Sequence, residues 1–248
     1  DADFKRAGAQ LVNGADEVWA EAELLLKVKE PIEAEYSRMR EGQTLFTYLH
    51  LAASRPCTDA LMASRTTSIA YETVQTADGA LPLLAPMSEV AGRLSAQVGA
   101  YHLMRTQGGR GVLMGGVPGV APAKVVVIGG GMAGDNAAAV AWGMGAHVTV
   151  FDPNVNTLRK IDAEYGGAIE TRYSSRLDLE DAVKQADLVI GAVLVPGHKA
   201  PKLVTNSTVA AMKPGAVLVD TAIAQGGSFG DSRPTTHDDP TFTVHDTV

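Results

Sequence analysis

The stretch Lys124-Val125-Val126-Val127-Ile128-Gly129-Gly130-Gly131-Met132-Ala133-Gly134 decides the reading of the chain. Its first five residues, rich in β-branched side chains, spell a short strand that runs without a break into glycine. Gly129 permits the tight turn out of the strand, Gly131 lets a backbone approach a pyrophosphate, and Gly134 lets the next helix pack close on the strand. That helix, through Ala137 to Trp142, aims free N–H groups and a positive dipole end at the same place. Gly143-Met144-Gly145-Ala146 returns the chain into Val148-Thr149-Val150-Phe151-Asp152. Asp152 thus closes the second strand about 20 residues past the glycines, where an acid accepts hydrogen bonds from adenosine ribose hydroxyls. An acid there also repels a 2′-phosphate, which points to NAD rather than NADP.

Working outward, residues 188–190 and 217–219 are further strand candidates, and 107–122 is a glycine-rich connection suited to a loop beside a ligand or between domains. Ser88 is positioned to cap a long helix with the apolar positions Val90, Ala91, Leu94, Val98 and Tyr101 on one face. Upstream, 17–22 reads as helix, 24–29 as strand ended by Glu30-Pro31, 44–49 as strand ended by His50, 56–64 as helix and 67–72 as strand. The expected fold is therefore α/β, a Rossmann doubly wound parallel sheet with a second, incomplete α/β domain. Residues 1–85 would form the partial second domain, and 86–248 the dinucleotide-binding domain, entered through a linking helix over 88–106.

Composition narrows the function. Among 248 residues, Lys+Arg 21 against Asp+Glu 28 leave a net charge of −7, which argues against a nucleic-acid platform or a polybasic membrane binder. Hydrophobic residues at 46% and charged residues at 20% suit a folded globular chain. The single cysteine, Cys57, excludes an intrachain disulfide and a cysteine-based zinc site, and no other metal-ligating pattern is visible. With no basic-then-apolar leader at Asp1-Ala2-Asp3-Phe4-Lys5, a cytoplasmic location is expected. The apolar run 125–151 is interrupted by Asp135, Asn136 and His147, which fits a soluble βαβ unit rather than a membrane span.

The glycine run together with Gly143-Met144-Gly145-Ala146 and Asp152 resembles the alanine dehydrogenase and nicotinamide nucleotide transhydrogenase α-subunit family. Leu24-Leu25-Leu26-Lys27-Val28-Lys29-Glu30-Pro31, Leu45-Phe46-Thr47-Tyr48-Leu49-His50 and Ala85-Pro86-Met87-Ser88-Glu89-Val90 are similar to the same family, as is 108–119. Gln225-Gly226-Gly227 leading to Ser232-Arg233-Pro234-Thr235-Thr236-His237 resembles the dehydrogenase branch. The resemblance implies reversible oxidative deamination of L-alanine to pyruvate and ammonia with NAD as hydride acceptor. It implies that Lys29 holds the substrate and that His50 is the general acid–base. It assigns cofactor contacts to Ser88, Gly129, Gly131, Met132, Ala133, Gly134, Asp152, Thr157, Ser174, Val193, Leu194 and Arg233. It also implies a homo-oligomer, a hexamer in the family.

Three positions depart from the family pattern. Ala224 stands where members carry an aspartate before Gln-Gly-Gly, and an alanine can neither accept a hydrogen bond nor carry charge. Asp135, in the first turn of the phosphate-binding helix, is expected to compete with the pyrophosphate for N–H groups. Thr157 replaces a residue that is often basic in relatives. The resemblance also begins after the family's first segment, which carries a substrate-binding arginine, and stops before the segment that completes the substrate domain. Two alternatives stay open beside the dehydrogenase: a catalytically silent NAD-binding protein, and a transhydrogenase-like subunit holding NAD for a partner.

Overall fold

A computed structural model describes residues 1–195 and 197–248, which divide into two compact units, Asp1–Leu84 and Ala85–Val248. In the first, α1 (Ala2–Arg6) and α2 (Ala15–Glu21) precede β1 (Leu24–Leu26), α3 (Glu33–Tyr36), β2 (Thr44–Thr47), α4 (Arg55–Ser64) and β3 (Thr67–Ala70). The strands form a parallel sheet in the order β1-β2-β3, with Leu24 opposite Thr44 and Thr44 opposite Thr67. Leu25 and Leu45 turn inward against Trp19, Cys57 and Leu61, whereas Leu24 and Leu26 face out, the period of two that a half-covered sheet imposes. The strands are shorter than the apolar runs that announced them. Pairing ends at Leu26, Thr47 and Ala70, and the residues beyond them turn into loops at the carboxyl edge.

The second unit comprises α5 (Ala85–His102), β4 (Lys124–Ile128), α6 (Met132–Gly143), β5 (His147–Asp152), α7 (Val155–Tyr165), β6 (Glu170–Tyr173), α8 (Arg176–Gln185), β7 (Leu188–Gly191), α9 (Asn206–Ala210) and β8 (Val217–Asp220). Its sheet is wholly parallel with the order β6-β5-β4-β7-β8, so the winding reverses between β4 and β7. That is the doubly wound arrangement, with its switch point beside the glycine turn. Val125 and Val127 pack on Ala137, Ala138 and Ala141 of α6, while Val126 and Ile128 meet Leu179 and Val183 of α8. Both faces of β4 and β7 are covered, which is why these strands are continuous apolar runs. The apolar stretch 125–151 resolves into β4, α6 and β5, and no helix among the described residues is long and apolar enough to cross a membrane.

The helix expected over 88–106 begins instead at Ala85 and ends at His102, followed by a short 3₁₀ turn at Arg105–Gln107. Ser88 lies inside the first turn rather than capping it. The apolar face is not the buried one. Gly92, Ser95, Ala96 and Gly99 point inward, while Val90 (66%), Leu94 (52%) and Tyr101 (49%) are exposed. Small side chains win because α5 lies almost against α6: a β-carbon on residue 92 would stand 2.1 Å from the Ala133 carbonyl oxygen. On Gly99 it would stand 2.6 Å from the Leu188 side chain.

Gly92→Ala therefore forces two helices apart. Overpacking of this kind costs about 1–3 kcal/mol, against the roughly 1 kcal/mol that alanine gains over glycine in a helix. With backbone as the obstacle, a net loss is expected, read as a lower urea or thermal midpoint. Gly143→Ala, with nothing within 4 Å of its added carbon, should hold or raise the midpoint. Equal midpoints for the two variants would show that the close approach does not constrain the fold.

Candidate functional site

The parallel sheets gather chemistry-bearing residues at their carboxyl edges, where open α/β folds place their ligands. In the second unit the turn after β4 is shaped by two steric demands. Gly129 has φ +99°, and a β-carbon on Gly134 would lie 1.7 Å from the Gly129 carbonyl oxygen. Gly131 differs, because nothing lies within 4 Å of the space its side chain would fill. It is the N-cap of α6 and contributes no capping side chain. The opening N–H groups at Met132 and Ala133 have no intrahelical acceptor and face a position free of side chain. This cradle fits a phosphate-bearing ligand, and no packing requirement of the protein itself explains the missing side chain at 131.

Asp152 closes β5 and points back to the turn. Its Oδ2 accepts the Gly130 N–H at 2.7 Å and its Oδ1 accepts the Asn154 N–H at 2.7 Å. Each carboxylate oxygen keeps a lone pair for another donor. The Ser174 N–H donates to the Asp152 carbonyl at 3.2 Å, and Thr157 on α7 approaches Gly130 through its methyl group. Val193 follows β7 and lies against Gly129, with the exposed Leu194 next to it. Gly129, Gly131, Met132, Ala133, Gly134, Asp152, Thr157, Ser174 and Val193 thus cluster around the switch point. Ser88, half-buried on α5, and Arg233 lie on other elements. The Arg233 guanidinium sits 4.2 Å over the Phe242 ring in the wall of a cavity of about 280 Å³. Val219, Phe229 and Val248 also line that cavity, and no residue of the glycine turn does.

Asp135 does not act as its position in the sequence suggests. Its carboxylate turns sideways to α7, accepting the Tyr165 hydroxyl at 2.9 Å and pairing with Lys160 at 3.6 Å. Burial, and then the bond to Asp135, hold the Tyr165 hydroxyl far above its ordinary pKa, so it remains a donor. The expected competition with a phosphate is overturned, because the carboxylate already has partners on a neighbouring helix.

At the end of β8, Asp220 was missed by sequence reasoning although it ends a strand just as Asp152 does. Its carboxylate accepts the N–H groups of Ala222 (3.0 Å) and Ser228 (2.7 Å) and the Ser232 hydroxyl (2.5 Å). Lys202 donates to the carbonyls of Gly226 and Phe229. The double-glycine loop is therefore held by opposite charges. Ala224 sits exposed in the 3₁₀ turn Ile223–Gln225 that begins this loop.

In the first unit, Lys29, Glu30, Tyr48, His50 and Glu72 meet just past the ends of β1, β2 and β3. The register that sets Leu24 opposite Thr44, carried on, sets Glu30 opposite His50, and the β2–β3 register likewise sets Leu49 opposite Glu72. Glu30 Oε2 lies 3.0 Å from His50 Nδ1, with the histidine side chain only 9% exposed. Burial pushes the Glu30 carboxyl up, but a backbone bond, the His50 ring and the Lys29 charge pull it further down, below the ordinary value of 4.5. His50 adopts left-handed φ 47°, ψ 40°, which costs an L-residue about 1–2 kcal/mol. Glu72 offsets this by accepting the N–H groups of His50 (2.7 Å) and Leu49 (3.1 Å). Tyr48 stacks on the imidazole with ring centroids 5.9 Å apart and donates its hydroxyl to the Leu83 carbonyl. Lys29 is exposed, anchored through its carbonyl to the Thr47 hydroxyl. The arrangement can hold an anion and move a proton. Of these five residues, only Lys29 and His50 were anticipated from the sequence.

Known proteins resemble the chain over its whole length. Residues 1–91 match the model of the alanine dehydrogenase/PNT N-terminal domain, and residues 95–248 that of the C-terminal domain. The chain is 84% identical over its whole length to an alanine dehydrogenase of Mycolicibacterium smegmatis, of which it spans 67%. A solved L-alanine dehydrogenase superposes with a TM-score of 0.87 at 52% identity, covering all of this chain and 68% of that one. A transhydrogenase from Sinorhizobium meliloti superposes at 0.76 with 26% identity, again over the whole chain and 71% of its own.

Proposed function

Since the chain belongs to the alanine dehydrogenase/PNT family, we propose that it carries the NAD-binding and proton-transfer machinery of an NAD-dependent L-alanine dehydrogenase. The observation that carries this reading is the open cradle at Gly131 at the point where the strand order reverses. There the amides of Met132 and Ala133 hold the pyrophosphate, and Asp152, already braced by Gly130 and Asn154, accepts the adenosine ribose hydroxyls. Thr157, Ser174, Val193, Leu194, Ser88 and Arg233 supply the remaining contacts. Bound there, NAD would supply the acceptor for the hydride that the reaction removes from alanine.

In the first unit, the Lys29 ammonium pairs with the substrate's oxygen atoms and stabilises the charge that builds there. His50 exchanges protons with the water that adds to the imine, and with the carbinolamine hydroxyl as ammonia leaves. The net reaction converts alanine, NAD⁺ and water to pyruvate, ammonium, NADH and a proton.

A second reading is favoured by one residue. Ala224 presents only a methyl group where the resemblance places an aspartate, and a chain that holds NAD without rapid deamination, silent or transhydrogenase-like, would tolerate that. We also read the exposed Val90, Leu94 and Tyr101 of α5 as a contact face for a second copy of the chain, in line with a homo-oligomer.

Three outcomes follow. Asp152→Ala should weaken NAD binding by about 1–3 kcal/mol and narrow the preference over NADP, as read by calorimetric titration. Unchanged affinity would make Asp152 a brace for the turn alone. Ala224→Asp should raise the rate of NADH formation from alanine by about 10²–10⁴-fold, the range for a positioned proton-transfer group. An unchanged rate would show that residue 224 is not what limits turnover. Leu94→Lys should lower the mass measured by light scattering while leaving the thermal midpoint within about 0.5 kcal/mol of the parent's stability. An unaltered mass would remove α5 from the interface.

A further inference from the structure

The His50 ring is held by a carboxylate on each side of its attachment, and the two do different work. Glu72 accepts the N–H groups of Leu49 and His50 and so fixes the left-handed backbone from which the ring projects. Glu30 meets the ring itself, at Nδ1, 3.0 Å away. A carboxylate is only an acceptor, and against burial, which raises it, a backbone hydrogen bond, the contact with the histidine ring and the Lys29 charge hold the Glu30 carboxyl below its ordinary value. The hydrogen in this contact therefore belongs to Nδ1. A neutral imidazole carries one ring hydrogen, so Nε2 is left bare and basic. Tyr48 adds no competing proton partner, since it lies flat beside the ring and gives its hydroxyl to Leu83.

We propose that Glu30 is a positioning residue: it keeps the hydrogen of neutral His50 on Nδ1 and so makes Nε2 the atom that takes up and returns the substrate's proton. The proposal rests on the reading of His50 as the acid–base group. In each proton transfer Nε2 gains a hydrogen from the carbinolamine hydroxyl or gives one to the leaving amine. The Nδ1–H stays with Glu30 throughout, and the carboxylate stabilises the imidazolium without accepting its proton.

The test is nitrogen NMR of the full chain with ¹⁵N-labelled histidine, recorded with the ring neutral and with His50 assigned by loss of its signals in His50→Asn. The parent chain should show a protonated Nδ1 and an unprotonated Nε2. Folded Glu30→Ala should move the hydrogen to Nε2, the form that free histidine side chains favour, while folded Glu72→Gln should keep it on Nδ1. A parent ring protonated at Nε2 overturns the proposal by itself, whether or not any variant folds. Retention of Nδ1–H in folded Glu30→Ala overturns it as well. Turnover answers the separate question: alanine oxidation unaffected by His50→Asn would refute the acid–base reading, whatever tautomer the spectra show.

Discussion

A β-carbon on residue 134 would lie 1.7 Å from the carbonyl oxygen of Gly129, so α6 meets the end of β4 with backbone against backbone. Much of the second unit follows from this contact. With α6 pressed onto the strand, its buried face has room only for Ala137, Ala138 and Ala141, and α5 in turn approaches through Gly92. The same contact fixes where the amino end of α6 points, which is outward past Gly131 at the place where the sheet reverses its order. Asp152 then ties the turn to the neighbouring strand through the Gly130 N–H. One acid serves both to brace the turn and to border the cradle.

The smaller sheet works by register rather than by close approach. Parallel strands in fixed register deliver the segments that follow them to one edge, and Glu30, His50 and Glu72 lie in the segments after three neighbouring strands. The strained backbone of His50 persists because Glu72 satisfies two amides there, one of which donates from the left-handed residue itself. A flexible loop histidine would have no such support. The oriented imidazole beside an ionised glutamate and an exposed lysine therefore depends on contacts between segments that the strand pairing brings together.

Much of the larger unit was legible in the sequence because β4, its turn, α6 and β5 each carry a strong local signal that agrees with the next. The face of α5 was misread, since hydrophobicity points to Val90, Leu94 and Tyr101 whereas packing distance selects Gly92, Ser95, Ala96 and Gly99. β6, at Glu170–Tyr173, escaped notice because an edge strand needs no apolar run. Asp135 was assigned to the phosphate site by position alone, and only the packing of α7 reveals its partners Tyr165 and Lys160. Glu30 and Glu72 were invisible for another reason. They matter through pairing across strands, and the register is not written in any one segment.

If the cradle at the head of α6 holds the dinucleotide, its amides must respond to it. The most direct measurement is an amide-resolved NMR titration of the whole chain with NADH. Saturable shifts should concentrate at the amides of Gly131, Met132 and Ala133 and at Gly130 and Asn154, whose N–H groups are bound to Asp152. Saturable shifts confined to the cavity walled by Phe229, Phe242 and Val248, with the head of α6 unmoved, would contradict it.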